Sequence, residues 1–252
     1  MSSGTDAGRA TGTVRLRPLT ARSAILSMLL GAHPPSATVG ELVAFGRRMD
    51  INDSAVRAAL TRMVAAGDLH REKSVYTLSD RLVERQRRQD EAMRVPHGDW
   101  NGVWRVAAVV SIGKDPASRL HLRRSMIGAH FAELREGLWM RPDNLDWEPG
   151  PEIADDLELM RARPDHHAVD LAHELFAPHR WASTGRDLLG YAERATTAHD
   201  RLTAVATIVR HLTHDPLLPH ELLPPEWPGG ALRRTYDAFR EELLEERRLR
   251  EG

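Results

Sequence analysis

The sequence predicts an α+β protein, in which a helical head with a β-hairpin precedes a mixed segment and a helical C-terminal half. Three observations predict this class. Apolar residues recur at helical spacing in three segments before residue 67, and two short β-rich runs follow them. A β-branched and aromatic run at 103–112 then precedes a helical segment and a pair of short strands. Helical patterns dominate the chain after Glu152.

Composition places the chain among ordinary globular proteins. Hydrophobic residues make up 41% and charged residues 28% of its 252 positions, which argues against a disordered or fibrous chain. The absence of cysteine excludes disulfides and thiolate metal sites. Because no apolar run has the length of a signal peptide or a membrane span, we expect a cytoplasmic protein without membrane contact.

Charge is distributed unevenly along the chain. Residues 1–94 hold 15 Arg and Lys against 10 Asp and Glu, whereas the remaining residues hold 20 against 26. A basic first third on an acidic body is typical of a protein whose N-terminal part binds an anionic partner. Nucleic acid is one such partner, and the charge distribution alone does not distinguish it from other anionic partners.

Two helices are predicted to open the ordered part of the chain. The first runs from Thr20, its N-cap, to Leu30. The second begins with Thr38 and Glu41, whose T-x-x-E spacing is that of a capping box, in which a hydroxyl and a carboxylate each accept a hydrogen bond from a free backbone N–H. It is predicted to end near Arg48.

A third helix follows and carries the strongest functional signal. Its core face has apolar residues at spacing i, i+3, i+4, i+7 and i+8, namely Val56, Ala59, Leu60, Met63 and Val64. The opposite face holds small or hydrogen-bonding groups around two arginines, namely Ser54, Arg57, Ala58, Thr61, Arg62 and Ala65. Such a face fits the major groove of DNA without steric obstruction. The alternative is a solvated arginine face on an ordinary three-helix bundle.

Two short strands, at 69–71 and 75–78, are predicted to form a hairpin with a tight turn at Glu72-Lys73. Helix, helix, helix and hairpin then follow in the order of a winged helix-turn-helix. Arg71 and Lys73 would lie on the wing, within reach of backbone phosphate. The predicted DNA-binding residues are therefore Ser54, Arg57, Ala58, Thr61, Arg62, Arg71 and Lys73.

The middle of the chain is predicted to alternate strand, helix, strand and strand. The strand at 103–112 precedes a helix at 116–127, and two strands follow at 131–134 and 137–140, a partial ferredoxin-like pattern. Asp115 stands between the first strand and the helix. It could serve a metal, but a lone carboxylate before a helical proline is a good N-cap, and we favour that role.

The C-terminal half is predicted to be helical, with helical patterns at 153–160 and 202–212 and a charged amphipathic helix from Ala231 to Arg250. The apolar seam of that last helix either packs within the subunit or contacts a second subunit. Proline and leucine alternate over 215–228, which indicates a rigid apolar clasp. The six tryptophans either fill the core or wall an aromatic effector pocket.

Histidines suggest a metal site as the alternative function. His166, Asp170 and His173 are predicted to share a helical face, and a second group surrounds the proline-rich turn, namely His211, His214, Asp215 and His220. No HExxH or other closed ligand set is present, and the sequence has no GxSxG, P-loop or GxGxxG motif. We therefore expect no metal, no cofactor and no enzymatic activity, with a metal-dependent hydrolase or nuclease as the alternative.

Several segments resemble the PaaX family, repressors of phenylacetic-acid catabolism and their relatives. The resemblance lies in VRAALTRMVAAGDL at 56–69, YTLSDR at 76–81, WNGVWRVAAVV at 100–110, GLWMRPDNL at 137–145 and DPLLPHELLPPEWPG at 215–229. Two positions depart from the family pattern. Asp68 stands where relatives commonly have an apolar or aromatic residue, and the turn between Arg71 and Val75 is shorter than the usual basic wing.

The resemblance implies a dimeric transcriptional repressor that binds double-stranded operator DNA. It also implies a small-molecule effector, an aryl-acyl coenzyme A such as phenylacetyl-CoA, although no glycine loop for its phosphates is evident and the effector site is unknown. The predicted organisation comprises a flexible tail (1–18), a winged helix (19–81), a helical linker (82–98), a ferredoxin-like dimerisation domain (99–148), similar to the small CRISPR-associated integrase subunit, and a helical C-terminal domain (149–252). A third hypothesis, in which the winged helix contacts protein instead of DNA, stays open.

Overall fold

The computed structural model describes residues 19–94 and 100–251, and it combines helices and strands as an α+β class requires. The predicted tail at 1–18 and the predicted chain break at Pro96-His97-Gly98 lie outside the described residues. Contacts divide the chain into two compact units. Among the described residues, the terminal unit comprises 19–89, 184–211 and 231–251, and the central unit comprises 90–94, 100–183 and 212–230.

The first two helices begin at the residues that the sequence predicts. In α1 (Ala21–Gly31) the N-cap Thr20 accepts a hydrogen bond from the Ser23 backbone N–H. In α2 (Val39–Arg48) the capping box is present in both directions. The Thr38 backbone N–H donates to Glu41 Oε2 over 2.6 Å, and the Glu41 backbone N–H donates to Thr38 Oγ1 over 3.2 Å. Both caps satisfy donors that a helix otherwise leaves free.

Helix α3 (Asp53–Ala65) packs closely against α2 at a glycine. A Cβ atom built on Gly46 would lie 2.4 Å from Cγ2 of Val56, which is buried on α3. A real Cβ could not approach so closely, so the glycine is required by helix packing and not by its own backbone conformation. Val56, Leu60 and Met63 share one apolar cluster with residues of α1 and α2.

Three antiparallel strands complete this part of the terminal unit, in the order β1-β3-β2. Strands β2 (Leu69–Glu72) and β3 (Val75–Leu78) form the predicted hairpin. Strand β1 (Ser36–Thr38) was not predicted, because three residues carry no periodicity and its partner β3 lies far along the chain.

The buried Asp68 holds two arginines from distant segments. Its carboxylate accepts from Arg22 Nη2 over 2.7 Å and from Arg81 Nη2 over 2.5 Å. Both arginines are exposed, so their charges stay hydrated while the carboxylate is paired. The residue that departs from the family pattern therefore joins α1 to the start of α4 (Asp80–Met93).

Four antiparallel strands form the sheet of the central unit, in the order β5-β6-β4-β7. The elements in chain order are β4 (Trp104–Val109), α5 (Pro116–Gly128), β5 (Ala132–Arg135), β6 (Leu138–Pro142), α6 (Pro151–Ala154) and β7 (Leu157–Ala162). Asp115 is the N-cap of α5 and accepts from the backbone N–H groups of Ala117 and Ser118, as predicted. The α5 face of the sheet buries Trp139 and the opposite face buries Trp104, so both tryptophans fill the core.

The helical prediction for 153–160 is wrong. Only the short α6 is helical there, and Leu157–Ala162 is a strand that pairs with β4 along its whole length. Ile153, Leu157 and Met160 have a spacing that a helix and a strand following a short turn can both produce. The sheet consequently extends beyond residue 148, the predicted end of the ferredoxin-like domain.

Two buried arginines face each other on the central strands. Arg105 of β4 and Arg141 of β6 are direct partners in the sheet, with exposed fractions of 8% and 3%. Arg141 donates from Nη1 to the Ala129 carbonyl over 3.0 Å and from Nη2 to the Leu145 carbonyl. Burial lowers the pKa of Arg141 to about 10, and the nearby charge of Arg105 adds to the shift while Asp143 opposes it.

The chain continues through α7 (Ala168–Phe176), α8 (Pro178–Arg194), α9 (Ala198–Leu212), a short 3-10 helix (His220–Leu222) and α10 (Gly229–Glu251). The proline-rich segment supplies Leu218 and Leu222 to the core cluster that also contains Leu171 of α7. Within the central unit, the rings of Trp181 and Trp227 stack with centroids 4.3 Å apart. These contacts agree with the predicted apolar clasp.

The histidine groups do not form a metal site within the described residues. His166 precedes α7 and so does not share a helical face with Asp170 and His173, which corrects the sequence prediction. No group of three His, Asp or Glu side chains in the described ranges is arranged to hold a metal ion. The His173 ring instead contacts the ring of His179, with centroids 4.5 Å apart.

The C-terminal helices α9 and α10 belong largely to the terminal unit and pack by polar contacts as well as apolar ones. Gln89 of α4 donates to the Tyr236 hydroxyl over 3.3 Å. The carboxylate of Glu242 on α10 accepts from Arg48 of α2, over 3.2 Å, and from Arg201 of α9. The seam of α10 predicted from its periodicity therefore packs at least in part within the subunit.

Candidate nucleic-acid interface

The outer face of α3 presents the side chains that the sequence singles out. Ser54, Arg57, Ala58, Thr61 and Arg62 are all exposed, while the opposite face is buried in the apolar cluster. The cap of the helix uses Asn52, whose Oδ1 accepts from the Ala55 N–H and from the Ser54 hydroxyl, over 2.8 and 2.7 Å. The cap and the buried face together set which side of α3 is offered to a partner.

The two arginines of this face are available for binding. Neither Arg57 nor Arg62 makes a hydrogen bond or a salt bridge with another described residue. Thr61 donates its hydroxyl to the Arg57 carbonyl over 3.1 Å, which leaves its oxygen as an acceptor on the helix surface. A guanidinium without an internal partner can bind a guanine edge or a phosphate without breaking an existing ion pair.

A carboxylate at the start of α3 is neutralised by a neighbouring arginine. Asp53 accepts from Arg47 Nε over 2.7 Å and from Arg47 Nη2 over 2.5 Å, a two-pronged ion pair. This hydrogen bonding lowers the pKa of Asp53 below its ordinary value, with the charges of Arg47 and Arg57 adding to the effect. The paired carboxylate repels an approaching phosphate less than a free one would.

The β2–β3 hairpin has a two-residue turn made of Lys73 and Ser74, because Glu72 already pairs with Val75. The turn thus lies one residue later than predicted. Lys73 has a positive φ of 54° and an exposed side chain. Arg71 donates from Nε to the Lys73 carbonyl over 3.0 Å, and its guanidinium lies over the Tyr76 ring at 5.7 Å. These contacts hold Arg71 in place at the turn.

Helix α3 and the hairpin converge on one cleft of about 280 Å³, which we call the α3–hairpin cleft. Its lining residues are Val39, Arg57, Leu60, Thr61, Arg71, Lys73, Ser74 and Tyr76. Three cations and three hydroxyl-bearing residues on its walls suit a phosphate group. The cleft brings together four of the seven predicted residues, namely Arg57, Thr61, Arg71 and Lys73. Ser54, Ala58 and Arg62 lie on α3 outside it.

Sequence reasoning missed the residues that support this cleft. Tyr76 positions Arg71, Ser74 lines the cleft, and Arg47 neutralises Asp53. Only Tyr76 had a usable signal. Residues directly opposite in a tight hairpin lie on one face of the sheet, and a turn at Lys73-Ser74 instead of Glu72-Lys73 places Tyr76 opposite Arg71.

Comparisons with known proteins agree with the resemblance seen in the sequence. The family model described as "PaaX-like protein" matches residues 20–82, and the model described as "PaaX-like protein C-terminal domain" matches residues 168–248. Comparison with curated proteins finds no match. None of the helices in the described ranges is long and apolar enough to cross a membrane.

The chain is similar to a solved structure over nearly the full length of that structure. The structure is that of the uncharacterized protein Rv0674 from Mycobacterium tuberculosis, which shares 46% sequence identity with this chain. The match covers 92% of this chain and 99% of that chain, with a TM-score of 0.81.

Proposed function

Because this chain belongs to the PaaX family, a family of transcriptional regulators, we propose that α1–α3 and the β2–β3 hairpin form a winged helix-turn-helix that binds operator DNA. One observation carries the proposal. The exposed face of α3 and the turn of the hairpin meet at the α3–hairpin cleft, where no described carboxylate pairs with Arg57 or Lys73. A concave cationic site beside an unobstructed helix suits a DNA groove and its flanking phosphate.

The positions of the side chains suggest how the contacts divide. Arg62, Ser54 and Ala58 lie on α3 outside the cleft and would face base edges in the major groove. Arg57, Arg71 and Lys73 line the cleft and would bind a backbone phosphate, with Thr61 between the two groups. Phosphate contacts would set the register of α3, and base contacts would select the sequence.

Operator binding in this family implies two recognition helices on a roughly palindromic site. We propose that the chain acts as a homodimer, with the central sheet, a ferredoxin-like arrangement, as the dimerisation domain. We also propose that a small molecule releases the operator, and the family resemblance supports an aryl-acyl coenzyme A such as phenylacetyl-CoA. No observation in the described residues favours the hydrolase or nuclease alternative.

The test is a mobility-shift assay at physiological salt with genomic fragments selected by the protein. We expect Arg57→Ala and Arg62→Ala each to weaken operator binding about tenfold or more, because a good contact contributes about 1–3 kcal/mol. Arg186→Ala is the matched control, since Arg186 is exposed and lies outside the α3 face and the cleft. Unchanged operator affinity in both α3 variants would refute the proposal and favour a protein partner.

A further inference from the structure

The terminal unit contains a second and much larger cavity that DNA binding does not use. Its volume is about 750 Å³, and it is lined by residues of α1, α2, α4, α9 and α10, all within that unit. Well-packed interiors leave few voids larger than a water molecule. A volume of this size lies in the range of small-molecule binding sites, about 300–1,000 Å³.

Most of the cavity wall is apolar. Leu26 of α1, Phe45 of α2 and Phe239 of α10 line it, and α9 contributes Leu202, Val205 and Val209. A wall of aliphatic and aromatic side chains favours the burial of a hydrocarbon chain or ring. A purely polar ligand would gain little here.

Two arginines lie at the α1–α4 side of the same cavity, and one of them has no carboxylate partner among the described residues. Arg22 and Arg85 both line it, and Arg22 already shares Asp68 with Arg81. Arg85 makes no ion pair or hydrogen bond with another described residue. The Arg85 side chain is exposed to solvent at the cavity, and desolvation together with the charges of Arg22, Arg81 and Arg88 lowers its pKa.

We propose that this cavity binds an organic anion with a long apolar body, namely a medium- or long-chain carboxylic acid. The hydrocarbon chain lies between α1, α9 and α10, and the carboxylate accepts hydrogen bonds from Arg85 and Arg22. Guanidinium groups pair with carboxylates in a planar, two-pronged geometry, so the head group supplies the anion that Arg85 lacks.

Occupancy of the cavity also has a route to the DNA-binding face. Leu26 lines the cavity and belongs to the same apolar cluster as Leu60 and Met63 of α3. A ligand that moves α1 or α2 therefore moves the surface on which α3 rests. This regulatory consequence rests on the proposed function, whereas the binding itself does not.

The test is calorimetric titration of the full chain, without DNA, using octanoate, laurate and palmitate. We expect saturable binding of one acid per chain that tightens with chain length until the cavity is full. Laurylamine, which has the same chain and the opposite charge, should bind at least tenfold more weakly than laurate. Failure of all three acids to bind, or equal binding of acid and amine, would overturn the proposal.

Variants locate the site. Ala206→Phe fills the cavity from α9 and should abolish saturable binding, while Arg85→Glu should weaken laurate binding at least tenfold. Arg87→Glu makes the same charge change on the same helix, away from the cavity lining, and should leave binding unchanged. Parental laurate binding in folded Ala206→Phe would overturn the assignment, as would tight phenylacetyl-CoA binding without any acid binding.

A mobility-shift assay with saturating laurate then separates the two proposals. A change in operator affinity supports coupling between the cavity and α3. Laurate binding with unchanged operator affinity overturns the proposed coupling, while the proposal that the cavity binds a carboxylic acid still holds. Loss of DNA binding on α3 substitution is measured without ligand, so the proposed function stands or falls independently.

Discussion

Helix α3 and the central sheet both carry a pair of arginines, and the two pairs differ in almost every physical respect. Arg57 and Arg62 are exposed and make no ion pair with another described residue. Arg105 and Arg141 are buried side by side, where Arg105 pairs with Glu148 over 3.2 Å and Arg141 donates to two backbone carbonyls.

The comparison distinguishes an arginine that stabilises the fold from an arginine that is available to bind a ligand. Burial removes the hydration of a guanidinium, so the protein must supply its hydrogen-bond partners. An exposed guanidinium keeps its hydration until a ligand replaces the water. Residue type alone does not distinguish these roles, and the expected effects of substitution differ accordingly.

The largest effect is expected for Arg141→Met. The substitution leaves the buried Ala129 carbonyl and the part-buried Leu145 carbonyl without their donor, and an unsatisfied buried acceptor costs about 1–3 kcal/mol. The free energy of unfolding, measured by urea titration of tryptophan fluorescence, should fall by roughly 1–4 kcal/mol. Arg135→Met is the control on the neighbouring strand β5, since Arg135 is exposed and pairs with no described carboxylate. Equal stability of the two variants would contradict the architectural role.

The α3 pair should affect DNA binding and leave stability unchanged within about 0.5 kcal/mol. Arg57→Ala should lower the slope of log affinity against log salt by about one, because Arg57 lines the cleft assigned to phosphate. Arg62→Ala should keep the slope closer to that of the parent and relax base preference at one operator position. Identical salt slopes and base preferences in the two variants would remove the distinction between phosphate and base contacts.

A smaller effect is expected from His130, which lies near Arg141. Burial lowers the pKa of His130, and the charge of Arg141 lowers it further, while Asp215 opposes the shift. Below the ordinary histidine pKa of about 6.5, the unfolded chain takes up a proton that the folded chain resists. The free energy of unfolding therefore decreases as the pH is lowered, by at most about 1.4 kcal/mol per pH unit.

His130→Asn tests this assignment. The backbone of His130 has a φ of 61°, which asparagine tolerates. The variant should flatten the dependence of unfolding free energy on pH between about 6.5 and 5. A dependence as steep as that of the parent would assign the effect to another group.

The smallest effect is expected for Asp68→Leu, in which a buried carboxylate is replaced by an apolar side chain. Arg22 and Arg81 are exposed and regain hydration when the carboxylate is lost, so no buried charge is stranded. Replacing a buried ionic group by an apolar one of similar volume is often neutral, and we expect a change in unfolding free energy within about 1 kcal/mol. A decrease of several kcal/mol in the free energy of unfolding would mean that Asp68 contributes as much to stability as Arg141.

Sequence reasoning succeeded where the signal is local. The capping box of Thr38 and Glu41, the Asp115 cap and the apolar face of α3 depend on residues within a few positions of each other. It failed at β1 and β7, because a strand is defined by its partner and the partners lie in distant segments. The spacing of Ile153, Leu157 and Met160 imitates a helix until the pairing with β4 is known.

The sequence by itself determined the α+β class, the order of the first three helices and the hairpin, and the exposed arginine face of α3. Short-range hydrogen bonds and side-chain periodicity govern these features, and both can be read along the chain. Tertiary structure alone decided which arginines are buried, how α3 and the hairpin share a cleft, and that five helices line a common cavity. Burial and enclosure arise from contacts between residues far apart in sequence, which no local pattern specifies.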